Sequence, residues 1–89
     1  HIPEIEQACR RVCGRPVEVA FTPHLLPMNR GILATIYARL STGVTVEDAR
    51  AILLQRYEDE PFVQVFQEGQ TVSTRHVRGT NNCHIAVHA

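Results

Sequence analysis

The sequence predicts an α+β domain in which a mixed, largely antiparallel sheet carries its helices on one face. Three observations lead there. Apolar residues recur at helical spacing near the start and in the middle of the chain, and alternate or run apolar at strand length elsewhere. Gly, Pro and Asn punctuate the joins. Several consecutive strands are separated by turns too short to hold a helix, which favours antiparallel connections. At 89 residues the chain is one domain.

The elements follow in order. Pro3 suits a helix's first turn, where its missing N–H costs nothing. Ile5, Ala8, Cys9 and Val12 continue at helical spacing, and Gly14 is a C-terminal stop. Glu4 and Glu6 at one end, and Arg10, Arg11 and Arg15 at the other, suit the helix dipole. Val17, Val19 and Phe21 alternate with Glu18 and Ala20, predicting a strand to about Thr22. Pro23 and Pro27 then impose an irregular segment up to Gly31. Ile32 to Leu40 is the clearest strand: Ile32, Ala34, Ile36, Ala38 and Leu40 share one face, and Leu33, Thr35, Tyr37 and Arg39 the other. Neither face is wholly polar, so both are expected to be covered at least in part.

Ser41-Thr42-Gly43 turns the chain. Thr45 with Asp48 three residues on has the form of a helix N-cap, although a capping box prefers Glu or Gln there. Ala49, Ile52, Leu53, Arg56 and Tyr57 mark the helix's covered face, and the helix fades before Pro61. Phe62 to Phe66 is a short strand, and Gln67-Glu68-Gly69-Gln70 a turn. A polar stretch, Thr71 to Arg78, leads through Gly79-Thr80-Asn81-Asn82 to a last strand from Cys83. The order is α-β-β-α-β-(β)-β. The chain opens on His1-Ile2-Pro3 without an initiator methionine and closes within a strand, so both ends read as cut from something longer.

Composition removes several function classes. Nine acidic and nine basic residues cancel, which gives no electrostatic case for nucleic acid or an anionic membrane. No apolar run approaches membrane-spanning length. All nine basic residues are arginine, so no lysine is present to form a Schiff base. The glycines at 14, 31, 43, 69 and 79 never compose a phosphate-cradling motif. His84 and His88 share a strand face but stand about 13 Å apart, too far to share a metal. Cys9, Cys13 and Cys83 are an odd number without zinc-like spacing and point to a reducing, cytoplasmic compartment, and Cys9 and Cys13 read as small, buried or half-buried thiols.

Two segments resist a purely structural reading: His1-Ile2-Pro3-Glu4-Ile5-Glu6-Gln7, and Phe21-Thr22-Pro23-His24-Leu25-Leu26-Pro27-Met28-Asn29-Arg30-Gly31-Ile32-Leu33-Ala34-Thr35. With Tyr57-Glu58-Asp59-Glu60-Pro61-Phe62-Val63 and Gly79-Thr80-Asn81, they resemble the N-acetyl-γ-glutamyl-phosphate reductase family in order along essentially the whole chain. Gly79-Thr80-Asn81 departs from that family's G-S-N by Thr for Ser.

The resemblance implies the substrate-side, dimerisation domain of a two-domain reductase, similar in fold to the C-terminal domain of glyceraldehyde-3-phosphate-dehydrogenase-like enzymes. It implies a reaction of arginine biosynthesis: a cysteine thiolate attacks an acyl phosphate, phosphate leaves, and hydride from NADPH reduces the thioester to a semialdehyde. It places the family's acid/base histidine on His1, a role suited to an imidazole. The family's G-C-Y-P nucleophile and nicotinamide-binding glycines are missing, so residues 1–89 alone are expected to be inactive. NADP is expected to be bound by a separate nucleotide-binding domain of the same chain.

Arg30, between a proline-broken loop and Gly31, is a candidate to hold a carboxylate or phosphate through its guanidinium; a structural arginine capping loop carbonyls is the alternative. His24, in the same loop, is a weaker substrate-binding candidate. Leu33, Tyr37 and Arg39 have the aromatic-plus-arginine character of an interface, so a homo-oligomer is expected, with no metal, nucleic acid or membrane partner. Two other readings stay open. One is a sister reductase acting on N-acetyl-aminoadipyl or aspartyl phosphate; the other is a dimerisation module without chemistry.

Overall fold

The computed structural model describes residues 1–89 and contains three helices and one two-stranded sheet, a mixed α/β domain. Helix α1 spans Ile2–Cys13, with proline in its first turn as its sequence requires. Gly14 ends it at φ 75°, a left-handed conformation that lets its N–H reach the Arg10 carbonyl at 2.7 Å. Arg10 and Arg11 lie in the last turn, where the helix dipole favours cations. Glu6 has a more particular role than charge at the helix start: its Oε2 accepts the Val19 N–H at 3.0 Å, fastening the returning segment to the helix. Ile5, Glu6, Cys9, Val17 and Val19 are half-buried along that seam.

Helix α2 spans Val46–Tyr57 and opens with a complete capping box. Asp48 donates its N–H to Thr45 Oγ1 at 3.1 Å, and Asp48 Oδ2 accepts the Thr45 N–H at 3.0 Å. Asp therefore closes the box as Glu or Gln commonly does. The covered face differs from the one expected. Val46, Ala49, Arg50, Leu53 and Tyr57 are half-buried, whereas Ile52 and Arg56 are exposed. Arg50 joins that face because Nη2 donates to the Val87 carbonyl at 3.0 Å. Arg56 instead lies over the Tyr57 ring, 5.1 Å from its centroid.

Strands β1 (Val63–Val65) and β2 (Cys83–Ile85) pair in register Val63 with Cys83 and Val65 with Ile85, and α2 packs on β1. The pair is parallel, which corrects the expectation of a largely antiparallel sheet. The physical reason is the connection. Residues 66–82 form a crossover long enough to bring β2 back in the same direction. A short helix, α3 (Thr74–Val77), forms inside that crossover, which corrects the optional strand that the predicted order placed between Phe66 and Cys83. Ser73 caps it, its Oγ accepting the Arg75 N–H at 3.2 Å.

The expected strands at 17–22 and 32–40 do not form. No backbone group of residues 32–40 enters a backbone–backbone hydrogen bond. A strand exists only as a member of a ladder, and this chain offers the segment no neighbour. Consequently Ile32 is 88% exposed, Ile36 82% and Tyr37 93%, and no residue of the chain is fully buried.

Candidate functional site

The site is built on the N-terminus of α1. His1 occupies the N-cap position, and its carbonyl accepts the Ile5 N–H at 3.0 Å, so the helix itself fixes the backbone that carries the imidazole. The ring meets Phe21 edge to face, centroids 6.1 Å apart and planes at 73°. Phe21 is there because Glu6 holds Val19 against α1 and strand-like spacing carries the chain on by two residues. An open groove of about 450 Å³ results, lined by His1, Glu4, Ile5, Ala8, Phe21 and Ile32. One imidazole and one carboxylate thus face a wall of aliphatic and aromatic groups. Such a pairing suits proton transfer to a bound, partly apolar substrate.

The two segments singled out in the sequence therefore meet in space, the first through His1 and the second through Phe21 and Ile32. Arg30 and His24 do not line the groove. Both are exposed, and neither side chain makes a hydrogen bond. Arg30 precedes Gly31, whose φ of 107° is one that L side chains rarely adopt. The alternating pattern at Phe21 and Ile32 predicts sheet faces and gives no sign of a groove. The motif containing Phe21 was the available signal.

A second crease, of about 530 Å³ and lined by Pro3, Glu6, Gln7, Arg10, Pro16, Val17 and Glu18, is the seam that Glu6 closes. None of the three cysteines lines either groove. Cys9 is half-buried, Cys13 and Cys83 are exposed, and Cys13 Sγ donates to the Arg15 carbonyl at 3.3 Å. His84 meets Phe66 with ring centroids 4.8 Å apart and planes tilted at 45°, and His88 lies beyond the end of β2. No group of three or more His, Cys, Asp or Glu side chains gathers to hold a metal. No helix is long and apolar enough to cross a membrane.

The start of α2 does not fit a nicotinamide dinucleotide. Its pyrophosphate needs free backbone N–H groups at a helix start, usually reached through clustered glycines. The N-terminus of α2, which follows Gly43, is closed by the capping box and carries Glu47 and Asp48 in its first turn. Those carboxylates repel phosphate.

Comparison with known proteins gives a consistent result. A family profile described as the semialdehyde dehydrogenase dimerisation domain matches residues 1–89. The chain is 55% identical over 89 residues to the N-acetyl-gamma-glutamyl-phosphate reductase of Rhodospirillum rubrum, covering all of this chain and 25% of that protein. It is 48% identical over 87 residues to the protein of the same name from Magnetococcus marinus, again covering 25% of it. It is 49% identical over 87 residues to a probable chloroplastic N-acetyl-gamma-glutamyl-phosphate reductase of Arabidopsis thaliana, covering 22% of it. The chain spans about a quarter of the length of these curated relatives. No solved structure matches it. With its whole length matched by that profile, the chain belongs to the semialdehyde dehydrogenase dimerisation-domain family.

Proposed function

We propose that residues 1–89 are the dimerisation-domain part of a longer polypeptide that reduces N-acetyl-γ-glutamyl phosphate to the semialdehyde with NADPH, a step of arginine biosynthesis in the cytoplasm. The observation that carries this reading is identity of about half the residues, across the whole chain, to proteins bearing that reductase name. The nucleophilic thiolate and the nucleotide-binding domain then lie outside these residues; the poor fit of NADP to α2, and a groove lining that includes none of the three cysteines, support this reading.

Within the reaction, His1 handles a proton. It gives one to the oxygen of the reacting carbon as that carbon becomes tetrahedral, and takes one back as the aldehyde forms. The edge-to-face pair with Phe21 limits where the ring can lie, and Ile5 and Ile32 line the same groove. Arg30 supplies a charge to a carboxylate or phosphate of the substrate, with His24 as a secondary contact from the same loop. The Leu33, Tyr37 and Arg39 side of residues 32–40 is the surface through which two copies meet.

The test is kinetic. The longer polypeptide should oxidise NADPH in the presence of the acyl phosphate or, in reverse, reduce NADP with the semialdehyde and inorganic phosphate. Arg30→Ala should lower kcat/KM by about a hundredfold, the scale for losing a charged substrate contact. Absence of acyl-phosphate reduction would overturn the reading, and unchanged kinetics in Arg30→Ala would remove Arg30 from the site.

A further inference from the structure

The groove beside His1 has an order along its length as well as a lining. His1, Glu4, Ile5 and Ala8 stand at i, i+3, i+4 and i+7, one stripe of helix α1. The stripe is helical from its start, since the Ile5 N–H already reaches the His1 carbonyl. At the helical rise of about 1.5 Å per residue, Glu4 lies roughly 4.5 Å along the axis from His1, Ile5 roughly 6 Å and Ala8 roughly 10 Å. Phe21 and Ile32 complete the lining from outside the helix.

Polar groups come first on this stripe and apolar ones after. Glu4 is exposed and makes no hydrogen bond within the chain. Glu6, two residues on, belongs to the other crease, where it accepts the Val19 N–H. The groove therefore holds one carboxylate with its acceptor capacity unused. Beyond it come Ile5, which is half-buried, and Ala8, which is exposed and the smallest residue of the lining.

The substrate of the proposed reaction carries its groups in the same order. From the reacting carbon, two methylenes and the α-carbon lead to an amide N–H and then to the acetyl methyl. Extended at about 3.5 Å per three bonds, the nitrogen lies roughly 5 Å from the reacting carbon and the methyl roughly 7 Å. With the reacting carbon at His1, the N–H comes level with Glu4 and the methyl falls between Ile5 and Ala8. We infer that this stripe is the subsite for the acylamido end of the substrate: Glu4 accepts the N–H, and Ile5, Ala8 and Ile32 take the acyl methyl. The α-carboxylate, which Glu4 repels, points out of the open groove. This rests on the function proposed above and on the role given there to His1; it adds the residues that select the N-acyl group.

The experiment assays the longer polypeptide in the reverse direction, reducing NADP with inorganic phosphate and three semialdehydes. One is the N-acetyl compound. The second is its N-formyl analogue, which lacks the methyl, and the third an acetate ester with oxygen in place of the amide nitrogen, which lacks the N–H. kcat/KM and the thermal midpoint are measured for the parent, Ala8→Leu, Ile32→Ala and Glu4→Ala. The parent should prefer acetyl over formyl about tenfold, the scale for one methyl group in an apolar pocket. It should prefer amide over ester by about tenfold as well, the scale for a hydrogen bond to a charged group. Ala8→Leu fills the far end with a good helix former, and Ile32→Ala removes a wall at a position that is 88% exposed. Each should cut the acetyl preference to within about twofold and keep the amide preference. Glu4→Ala should do the reverse.

A merely structural role would lower kcat/KM for all three compounds together and keep both preferences; that result overturns the inference. A parent that turns over the N-acetyl compound without either preference overturns it too. A parent that reduces NADP with none of the three fails the proposed function itself, so the two failures are distinguishable.

Discussion

Excising residues 1–89 from the longer polypeptide should leave the amides of Ile32–Leu40 exchanging with solvent as fast as those of an unstructured peptide. The magnitude follows from surface. A folded monomer of 10.0 kDa exposes about 5,200 Å² by the usual mass scaling, whereas this chain exposes 8306 Å². The excess of about 3,100 Å² is several times the roughly 800 Å² per partner of a standard interface. The Cα radius of gyration is also large, 14.5 Å against about 12 Å for a compact chain of this length.

Much apolar surface in this excess belongs to the segment whose backbone bonds to nothing, at Ile32, Leu33, Ile36 and Tyr37. In the longer polypeptide those amides should find ladder partners and slow by about a thousandfold, equivalent to about 4 kcal/mol of opening free energy. Hydrogen exchange read by mass spectrometry on both chains makes the comparison, with the capped helix α2 as internal reference. Protection of residues 32–40 in the excised chain would refute the reasoning. So would free exchange in the longer one.

Two further outcomes are expected. Thr45→Ala removes the hydroxyl that accepts the Asp48 N–H and should destabilise the domain by about 1 kcal/mol, seen as a lower denaturant midpoint with an unchanged slope. Tyr37→Glu places a charge on the exposed face assigned to assembly and should shift the longer polypeptide toward monomer in sedimentation equilibrium; an unchanged mass would move the interface elsewhere.

The helices were legible because their signals are local. Pro3, Gly14 and the Thr45–Asp48 pair set α1 and the start of α2 within a few residues of the chain, and the structure uses each as expected. Helix α3 left a fainter local signal, Ser73 followed by Val77, in a segment too short and polar for periodicity to show. Strands depend on partners instead. Val63–Val65 and Cys83–Ile85 find one another, but nothing in either segment states that they run parallel; the length of residues 66–82 does. Ile32–Leu40 has the pattern of a strand covered on both faces and finds no cover here, which is itself the mark of surface meant for something else. Nothing local places Arg50 on the covered face of α2, because its burial depends on a carbonyl 37 residues away.

For the site, the sequence supplied His1 and the segment containing Phe21 but not their meeting, which depends on Glu6 catching Val19 across a turn.

In the function proposed for it, this domain supplies the acid/base histidine of an acyl-phosphate reductase. Replacing His1 with Gln in the longer polypeptide keeps a polar side chain of similar reach and removes its ability to titrate. Steady-state reduction of N-acetyl-γ-glutamyl phosphate by NADPH should then show kcat lowered by about a hundredfold or more, with substrate KM changed by no more than a few-fold. A His1→Gln enzyme with kcat near that of the parent would contradict the account.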